Sequence, residues 1–352
     1  MKILAIDTSC DETSVAVCDN DIVLSNIVSS QVDLHAKWRG VVPIIAKRAH
    51  QERIDPVSEL ALKRAKIKIK DIDVFAVTIG PGLAIALEVG VKKAKELSTQ
   101  YEKPLVLVDH MEGHIYSNLA KNSKGNYFNN LKKIKFPVLC LLVSGGHTEI
   151  ILMKDHGQYE VLGQALDDAV GEAFDKVVRP LMLGYPGGPI IEEFAKKGDP
   201  EMFELPIPML RRNDYNFSYS GLKTACVVKI DKLKKEFGKD FPKIIPDFCA
   251  SFQKTISDSL LFKAKKAVKK YKPKQLLLGG GVIANIYIRR QIRKEMRKLG
   301  VEVIIPAKKL CGDNAAMIGV CAYYKSKRKE FVKNIERVDR LPNLRVDQKV
   351  SY

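Results

Sequence analysis

No apolar run in this chain of 352 residues approaches the ~18 uninterrupted residues of a membrane-spanning helix, which excludes a helical membrane protein. There is no Cys-x-x-Cys pair. The seven cysteines, an odd number scattered from Cys10 to Cys321, fit reduced thiols rather than a disulfide or thiolate-zinc framework. The N-terminus lacks the basic lead and cleavage pattern of a signal peptide and the Arg-rich character of a transit peptide. It opens instead on the strand-like run Lys2-Ile3-Leu4-Ala5-Ile6, so a cytoplasmic protein is expected. The two most glycine-rich turns, Ser144-Gly145-Gly146 and Gly279-Gly280-Gly281, are followed by no G-K-[ST] and do not fit G-x-G-x-x-G, so neither is a P-loop or a dinucleotide fingerprint.

Positive charge is abundant. The formal net charge is +18, gathered at residues 63–70, 132–135, 263–274 and 289–298. Such clusters imply a polyanionic partner, most readily nucleic acid, although a lysine-rich helix is also an ordinary solvated face. Tyr271 apart, no aromatic side chain interleaves them, so contact with phosphates is expected rather than base stacking. Length and a 46% hydrophobic content suggest about two domains.

Residues 2–30 read as three strands, around Ile3–Asp7, Val15–Cys18 and Ile22–Leu24, with a polar turn from Thr8 to Ser14 between the first two. The plan recurs: Val138 to Val143 runs into Ser144-Gly145-Gly146-His147-Thr148, and Glu149 to Met153 leads out. Each half continues with strands followed by helices, which predicts a duplicated α/β architecture. The expected halves are 1–135 plus 313–330 and 136–312, with a basic, flexible tail at 331–352. Small residues at the turns leave backbone N–H groups open to a phosphate, and two such turns in matching halves favour a nucleotide in the cleft between them.

His110 and His114, four apart, share one face of a helix and can reach one metal ion, a spacing that also suits a pair holding no metal. In the zinc-protease pattern H-E-x-x-H a glutamate directly follows the first histidine. Here Met111 follows, and Glu112 lies about 200° around a helix from His110 and about 160° from His114, facing away from any shared metal. Gly113 weakens the helix further. Asp313 is a natural third ligand at the start of the last helix, where it also suits an N-cap. Two imidazoles and a carboxylate form a set that suits iron or zinc. The carboxylates of Asp7, Asp11 and Glu12 can hold a metal, take a proton or orient a hydroxyl.

These residues, with others, resemble a known family from end to end. Its motifs appear as Asp7-Thr8-Ser9-Cys10-Asp11-Glu12-Thr13, His35 through Val41-Val42-Pro43 to Arg48 and His50, Gly80-Pro81-Gly82, and His110-Met111-Glu112-Gly113-His114. Then follow Leu142-Val143-Ser144-Gly145-Gly146-His147-Thr148, Gly171-Glu172-Ala173-Phe174-Asp175-Lys176, Tyr185-Pro186-Gly187-Gly188-Pro189, Phe217-Ser218-Tyr219-Ser220-Gly221-Leu222-Lys223-Thr224, Gly280-Gly281-Val282 to Asn285, and Asp313-Asn314. The chain resembles the TsaD family (Gcp, YgjD), tRNA N6-adenosine threonylcarbamoyltransferases related to the catalytic subunit of KEOPS, and its wording is closer to the bacterial form.

The resemblance implies an ASKHA fold, two actin- or Hsp70-like halves around a nucleotide cleft. It implies transfer of the threonylcarbamoyl group from threonylcarbamoyl-AMP to N6 of adenosine 37 in tRNAs reading ANN codons. It further implies His110, His114 and Asp313 as ligands of one divalent metal per subunit, iron before zinc. Leu142, Val143, Ser144, Gly145, Gly146, Asp175, Gly188 and Asn285 would bind the adenylate, and Asp11 or Glu12 would assist proton removal. A small TsaB-like paralogue and a TsaE-like ATPase are the implied protein partners. One departure is that the family's Gly-Gly-Val-Val-Pro-Glu reads Arg39-Gly40-Val41-Val42-Pro43-Ile44, without the carboxylate. An ASKHA-type kinase or ATPase would have no use for the His-His-Asp set, and a non-catalytic partner subunit would be expected to lack the histidines and glycine turns that this chain keeps.

Overall fold

The computed structural model describes residues 1–38, 40–129 and 131–350. Arg39 of the departing motif lies outside them, as do the last two residues of the expected tail. The chain divides into two compact units, Met1–Lys133 with His156–Tyr159 and Ile305–Tyr352, and Ile134–Asp155 with Glu160–Ile304.

The first unit is built on β1 (Lys2–Asp7), β2 (Glu12–Asp19), β3 (Ile22–Ser30), α1 (Val32–Ala36), α2 (Pro43–Ala65), β4 (Val74–Gly80), α3 (Ala84–Gln100), β5 (Leu105–Asp109) and α4 (His110–Tyr116). Its sheet runs β3-β2-β1-β4-β5. The first three strands are antiparallel, joined by short turns, whereas β1, β4 and β5 are parallel and connected through helices. The second unit contains β6 (Val138–Val143), β7 (Thr148–Asp155), β8 (Gln158–Gln164), α5 (Val170–Val178), α6 (Gly187–Ala195), α7 (Ser220–Phe237), α8 (Phe241–Tyr271), β9 (Gln275–Gly279), α9 (Ile286–Lys298) and β10 (Glu302–Ile304). Its sheet order, β10-β9-β6-β7-β8, is the first unit's order read from the other edge. The duplication expected from the two strand-turn-strand segments is therefore real at the level of topology. The last helix, α10 (Ala315–Lys327), returns to the first unit and packs on β1, β2 and α4.

Strands β1, β4 and β6 are buried along nearly their whole length, which is why they read as continuous apolar runs rather than alternating ones. Residues 331–350 correct an expectation. Read as a flexible basic tail, this stretch instead lies on the first unit: Val338 and Leu344 join the core with Leu4, Phe75 and Val77, and the Leu341 N–H donates to the Ile79 carbonyl at 2.6 Å. Its few apolar residues are spaced too irregularly to announce themselves as an element, yet Val338 and Leu344 fill places in that core, and Val332, Leu341 and Val350 pack against it.

Candidate functional site

Strand β5 ends at Asp109, whose carboxylate accepts the Glu112 N–H at 2.8 Å and so caps α4. That cap starts the helix at His110 and sets the phase of both histidines. Their rings meet edge to face, 4.7 Å between centroids, and His114 is fully buried.

The third member arrives with α10. The N-cap of that helix is Asn314, not Asp313: the Asn314 side chain accepts the Met317 N–H, while Ala315 N–H donates to Ser14 Oγ at 2.8 Å. Asp313, released from capping, places Oδ1 3.3 Å from Nε2 of both histidines. One ligand atom from each of the three falls within 4.8 Å of the others. Gly113 turns out to be a packing residue, since a Cβ there would stand 2.8 Å from Ile318 Cδ1 and 3.2 Å from Met317 Cγ. The glycine that weakens α4 in isolation lets it lie close against α10, which is what brings Asp313 to the histidines.

The residues fit a metal. Both His114 nitrogens and His110 Nδ1 are buried without a hydrogen-bond partner; the close approach of Asp313 to His114 has the wrong direction for one. Asp7, at the end of β1, sets Oδ2 3.5 Å from His110 Nδ1, the carboxylate-imidazole pairing that orients a ligating histidine. Burial alone would push the His110 pKa down, but Asp313 and Asp7 outweigh it and hold it well above the ordinary value. For His114 burial prevails and the pKa falls. Asp313 is held well below the usual carboxylate range, because the two imidazoles overcome the opposing effect of burial.

Asp11 is buried and Glu12 partly so, at the entry to β2. Burial first, and then the neighbouring charges of Asp11 and Asp313, raise the Glu12 pKa well above the usual carboxylate range. The turn carrying them is braced by His50, which the sequence placed in a motif without a role. Thr13 Oγ1 donates to its Nδ1 at 2.8 Å and its Nε2 donates to the Cys10 carbonyl at 3.0 Å, so one ring spans Asp11 and Glu12. Gln31 links His50 to His35, which in turn accepts the Val42 N–H. Ile44, in the place of the family's glutamate, is 78% exposed at the start of α2.

Glu112 does face away. Its buried carboxylate accepts the Tyr159 hydroxyl at 2.9 Å and stands 3.5 Å from Lys325 Nζ and 3.4 Å from an Arg328 guanidinium nitrogen, both at the C-terminal end of α10.

In the second unit the predicted ligand-binding residues divide by what they leave open. Leu142 and Val143 are fully buried in β6, so only their backbone is available. Beyond them Ser144 N–H donates to the His147 carbonyl, and the start of α5 closes on the turn through Gly171 N–H to Ser144 O and Glu172 N–H to Gly145 O. Gly145 and Gly146 are exposed, with nothing within 4 Å of an added Cβ. The same open space lies beside Gly188, whose neighbour Gly187 donates its N–H to Asp175 at 2.7 Å. Asn285 is buried and engaged, capping α9 through Ile288 N–H and donating to Gln253. Asp167 and Asp168, outside the motifs, gather residues of two of them beside α5: Asp168 pairs with Lys176 and with Lys223, and Asp167 accepts Ser218, Tyr219 and Ser220.

Known proteins align with this arrangement. The family profile described as TsaD, tRNA N6-adenosine threonylcarbamoyltransferase, matches residues 22–320. The tRNA N6-adenosine threonylcarbamoyltransferase of Thermosipho africanus is 44% identical over 98% of this chain and all of its own length. That of Thermodesulfovibrio yellowstonii is 49% identical over 92% of this chain and 94% of its own. Among solved structures, HypF of T. kodakarensis superposes with a TM-score of 0.61 at 14% identity, covering 93% of this chain and 48% of that one. The activator of 2-hydroxyisocaproyl-CoA dehydratase from Clostridium difficile gives 0.52 at 14%, covering 95% and 99%. At that identity the two establish the fold alone, the two-domain α/β ASKHA fold. With sequence likeness spanning the site and most of both units, the chain belongs to the TsaD family, the tRNA N6-adenosine threonylcarbamoyltransferases.

Proposed function

We propose that the protein transfers the threonylcarbamoyl group from threonylcarbamoyl-AMP to N6 of adenosine 37 in tRNAs reading ANN codons, in the cytoplasm, with release of AMP. The single observation that carries this is the His110, His114 and Asp313 set, braced by Asp7, in a chain of this family. The family implies a divalent metal. Two imidazoles and one carboxylate suit iron, and zinc second, and such an ion supplies Lewis acidity toward the bound adenylate.

The remaining work belongs to the chain. Asp7 sets its carboxylate 3.5 Å from His110 Nδ1, where its charge would favour a proton on Nδ1 and leave Nε2, on the side of Asp313, for a metal. In the second unit the open backbone at Gly145 and Gly146 offers N–H groups to the adenylate phosphate, and the space beside Gly188 admits the nucleoside. Asp175 fixes the start of α6, and Asn285, held by Gln253 and its own cap, fixes the start of α9. The exocyclic N6 is a weak nucleophile, so positioning matters most. As the N6–carbonyl carbon bond forms, the carbon–oxygen bond to AMP breaks with its electron pair, and the N6 proton passes to Glu12. Glu12, with its pKa raised by burial and by Asp11, is a stronger base when ionised than an exposed carboxylate. A TsaB-like paralogue and a TsaE-like ATPase are the proposed partners, on the strength of the family's bacterial wording.

The test is to incubate the purified protein, partner subunits supplied, with threonylcarbamoyl-AMP and an ANN-reading tRNA, and to digest the product for nucleoside mass. Threonylcarbamoyladenosine is expected; its absence overturns the reading. Elemental analysis of His110→Ala, His114→Ala and Asp313→Ala tests the ligand set, which is refuted if all three retain the metal.

A further inference from the structure

Four clusters make the chain basic, but their side chains are not equally available. In the stretch 263–274, Lys263 is buried against Asp214 and the Arg212 and Asp214 carbonyls, Lys265 pairs with Glu295, and Lys266 and Lys270 lie over the Tyr215 ring. At residues 132–135, Lys135 faces Glu302 at 3.8 Å.

Helix α9 differs. Ile288, Ile292 and Met296 recur every four residues and are fully buried, holding one face against the second unit. On the opposite side Arg290, Arg293, Lys294, Arg297 and Lys298 are all exposed, and at ~100° per residue they span an arc of about 140°. These five residues alone line a surface groove of about 440 Å³. Glu295 lies outside the arc, paired with Lys265 and with Lys298 at 2.6 Å. Among the described residues Arg290, Arg293, Lys294 and Arg297 have no acidic partner.

The choice of cation matters too. The chain has 15 arginines against 44 lysines, yet four of those arginines fall in the 13 residues of α9. A helix kept merely soluble in this composition would carry lysine. Arginine presents a planar fork of donors that matches phosphate bidentately and is less strongly hydrated than an ammonium. With no aromatic lining the groove, the surface suits a sugar-phosphate backbone rather than bases.

We propose that the α9 stripe of Arg290, Arg293, Lys294, Arg297 and Lys298 is the surface on which the protein grips the tRNA backbone. The identity of the polynucleotide rests on the transferase reading; the stripe's affinity for a phosphate backbone does not. Contacts of this kind carry no sequence information, so the effect of losing them is the same for different ANN-reading tRNAs.

The experiment compares the full-length wild type with Arg293→Ala/Arg297→Ala, and with Lys63→Ala/Arg64→Ala, which removes two exposed cations from α2. Unmodified tRNA binding is measured across a potassium chloride series, and the KM for tRNA in the transfer reaction with partner subunits present. The α9 double variant is expected to raise Kd and KM about tenfold or more, with kcat within a factor of two. It should also flatten the slope of log K against log salt by about 1.4–1.8, two contacts at 0.7–0.9 each. The α2 variant should match wild type. An α9 variant with wild-type Kd and salt slope overturns the proposal, and so does an equal loss in the α2 variant, which would make the attraction a property of net charge. If wild type binds tRNA but yields no threonylcarbamoyladenosine, the transferase reading fails while the salt slopes still decide the surface.

Discussion

Replacing Glu112 by alanine isolates what holds the histidine helix in place. The carboxylate is 5% exposed, and its cationic neighbours Lys325 and Arg328 are 17% and 23% exposed, so the variant leaves two largely buried charges short of a partner. Breaking a buried pair from one side costs about 3–5 kcal/mol. Glu330 remains 2.6 Å from Lys325 and 2.5 Å from Arg328, which places the expected loss near the lower end, about 3 kcal/mol. At roughly 2–4 °C per kcal/mol for a unit of this size, the melting temperature falls by about 6–12 °C. Because the same contact ties α4 to α10, the two helices that position the histidines and Asp313 loosen together, and metal retention weakens with them. Circular dichroism melts and competition with a metal chelator read the two effects. Glu112→Gln, which keeps the Tyr159 contact and loses the charge, falls between wild type and alanine in both. The reasoning is refuted if Glu112→Ala melts within about 1 °C of wild type. It is equally refuted if Glu112→Gln keeps full stability and metal while transfer stops, since that would make Glu112 a proton-transfer group like the protease glutamate.

Gly146→Ala meets nothing within 4 Å, so its stability should stay within about 0.5 kcal/mol of wild type while the added methyl obstructs the adenylate and raises the donor KM about tenfold; an unchanged KM removes Gly146 from the binding surface. Burial alone would raise the Asp168 pKa, but hydrogen bonds from Lys176 and Lys223 outweigh it and hold it below the ordinary value. A depressed carboxylate stabilises fully above its ordinary pKa of about 4 and ceases to as pH falls through the lowered folded value. Asp168→Asn should therefore cost about 1–2 kcal/mol in urea denaturation at pH 7, an amount already discounted for lysines about 30% exposed, and the gap from wild type should close in acid. A gap that persists below the folded pKa would assign the loss to packing.

Much of the fold was legible because it is local. The duplicated strand-turn-strand plan survives as two sheets of the same order, and the buried parallel strands show as unbroken apolar runs. The phase of Glu112 against His110 and His114 follows from helical geometry alone, and its partners lie where that phase sends it. Less legible was the stretch 331–350, basic and irregular in sequence, which packs through Val338 and Leu344 on a core assembled from strands more than two hundred residues earlier. Leu142 and Val143 belong to a motif but bury their side chains, because they point to opposite faces of β6 and both faces are covered.

What the sequence determined by itself is the inventory: two histidines on one helical face, glycine turns after β6 and β9, a reduced-thiol chain rich in cations, and a family wording that runs from end to end. What the tertiary structure decided is which members meet. Asn314 rather than Asp313 caps α10, Gly113 lets α4 close on that helix, and Asp7 stands behind His110, all because residues some 200 or more positions apart, or at the ends of β1 and β5 in one sheet, share one packed face. The arginines of α9 are equally visible in both, but only burial of Ile288, Ile292 and Met296 and the diversion of Glu295 leave their side open to solvent and free of acids. Spacing along a helix is a local property of the chain, whereas the partner across the space is set by packing.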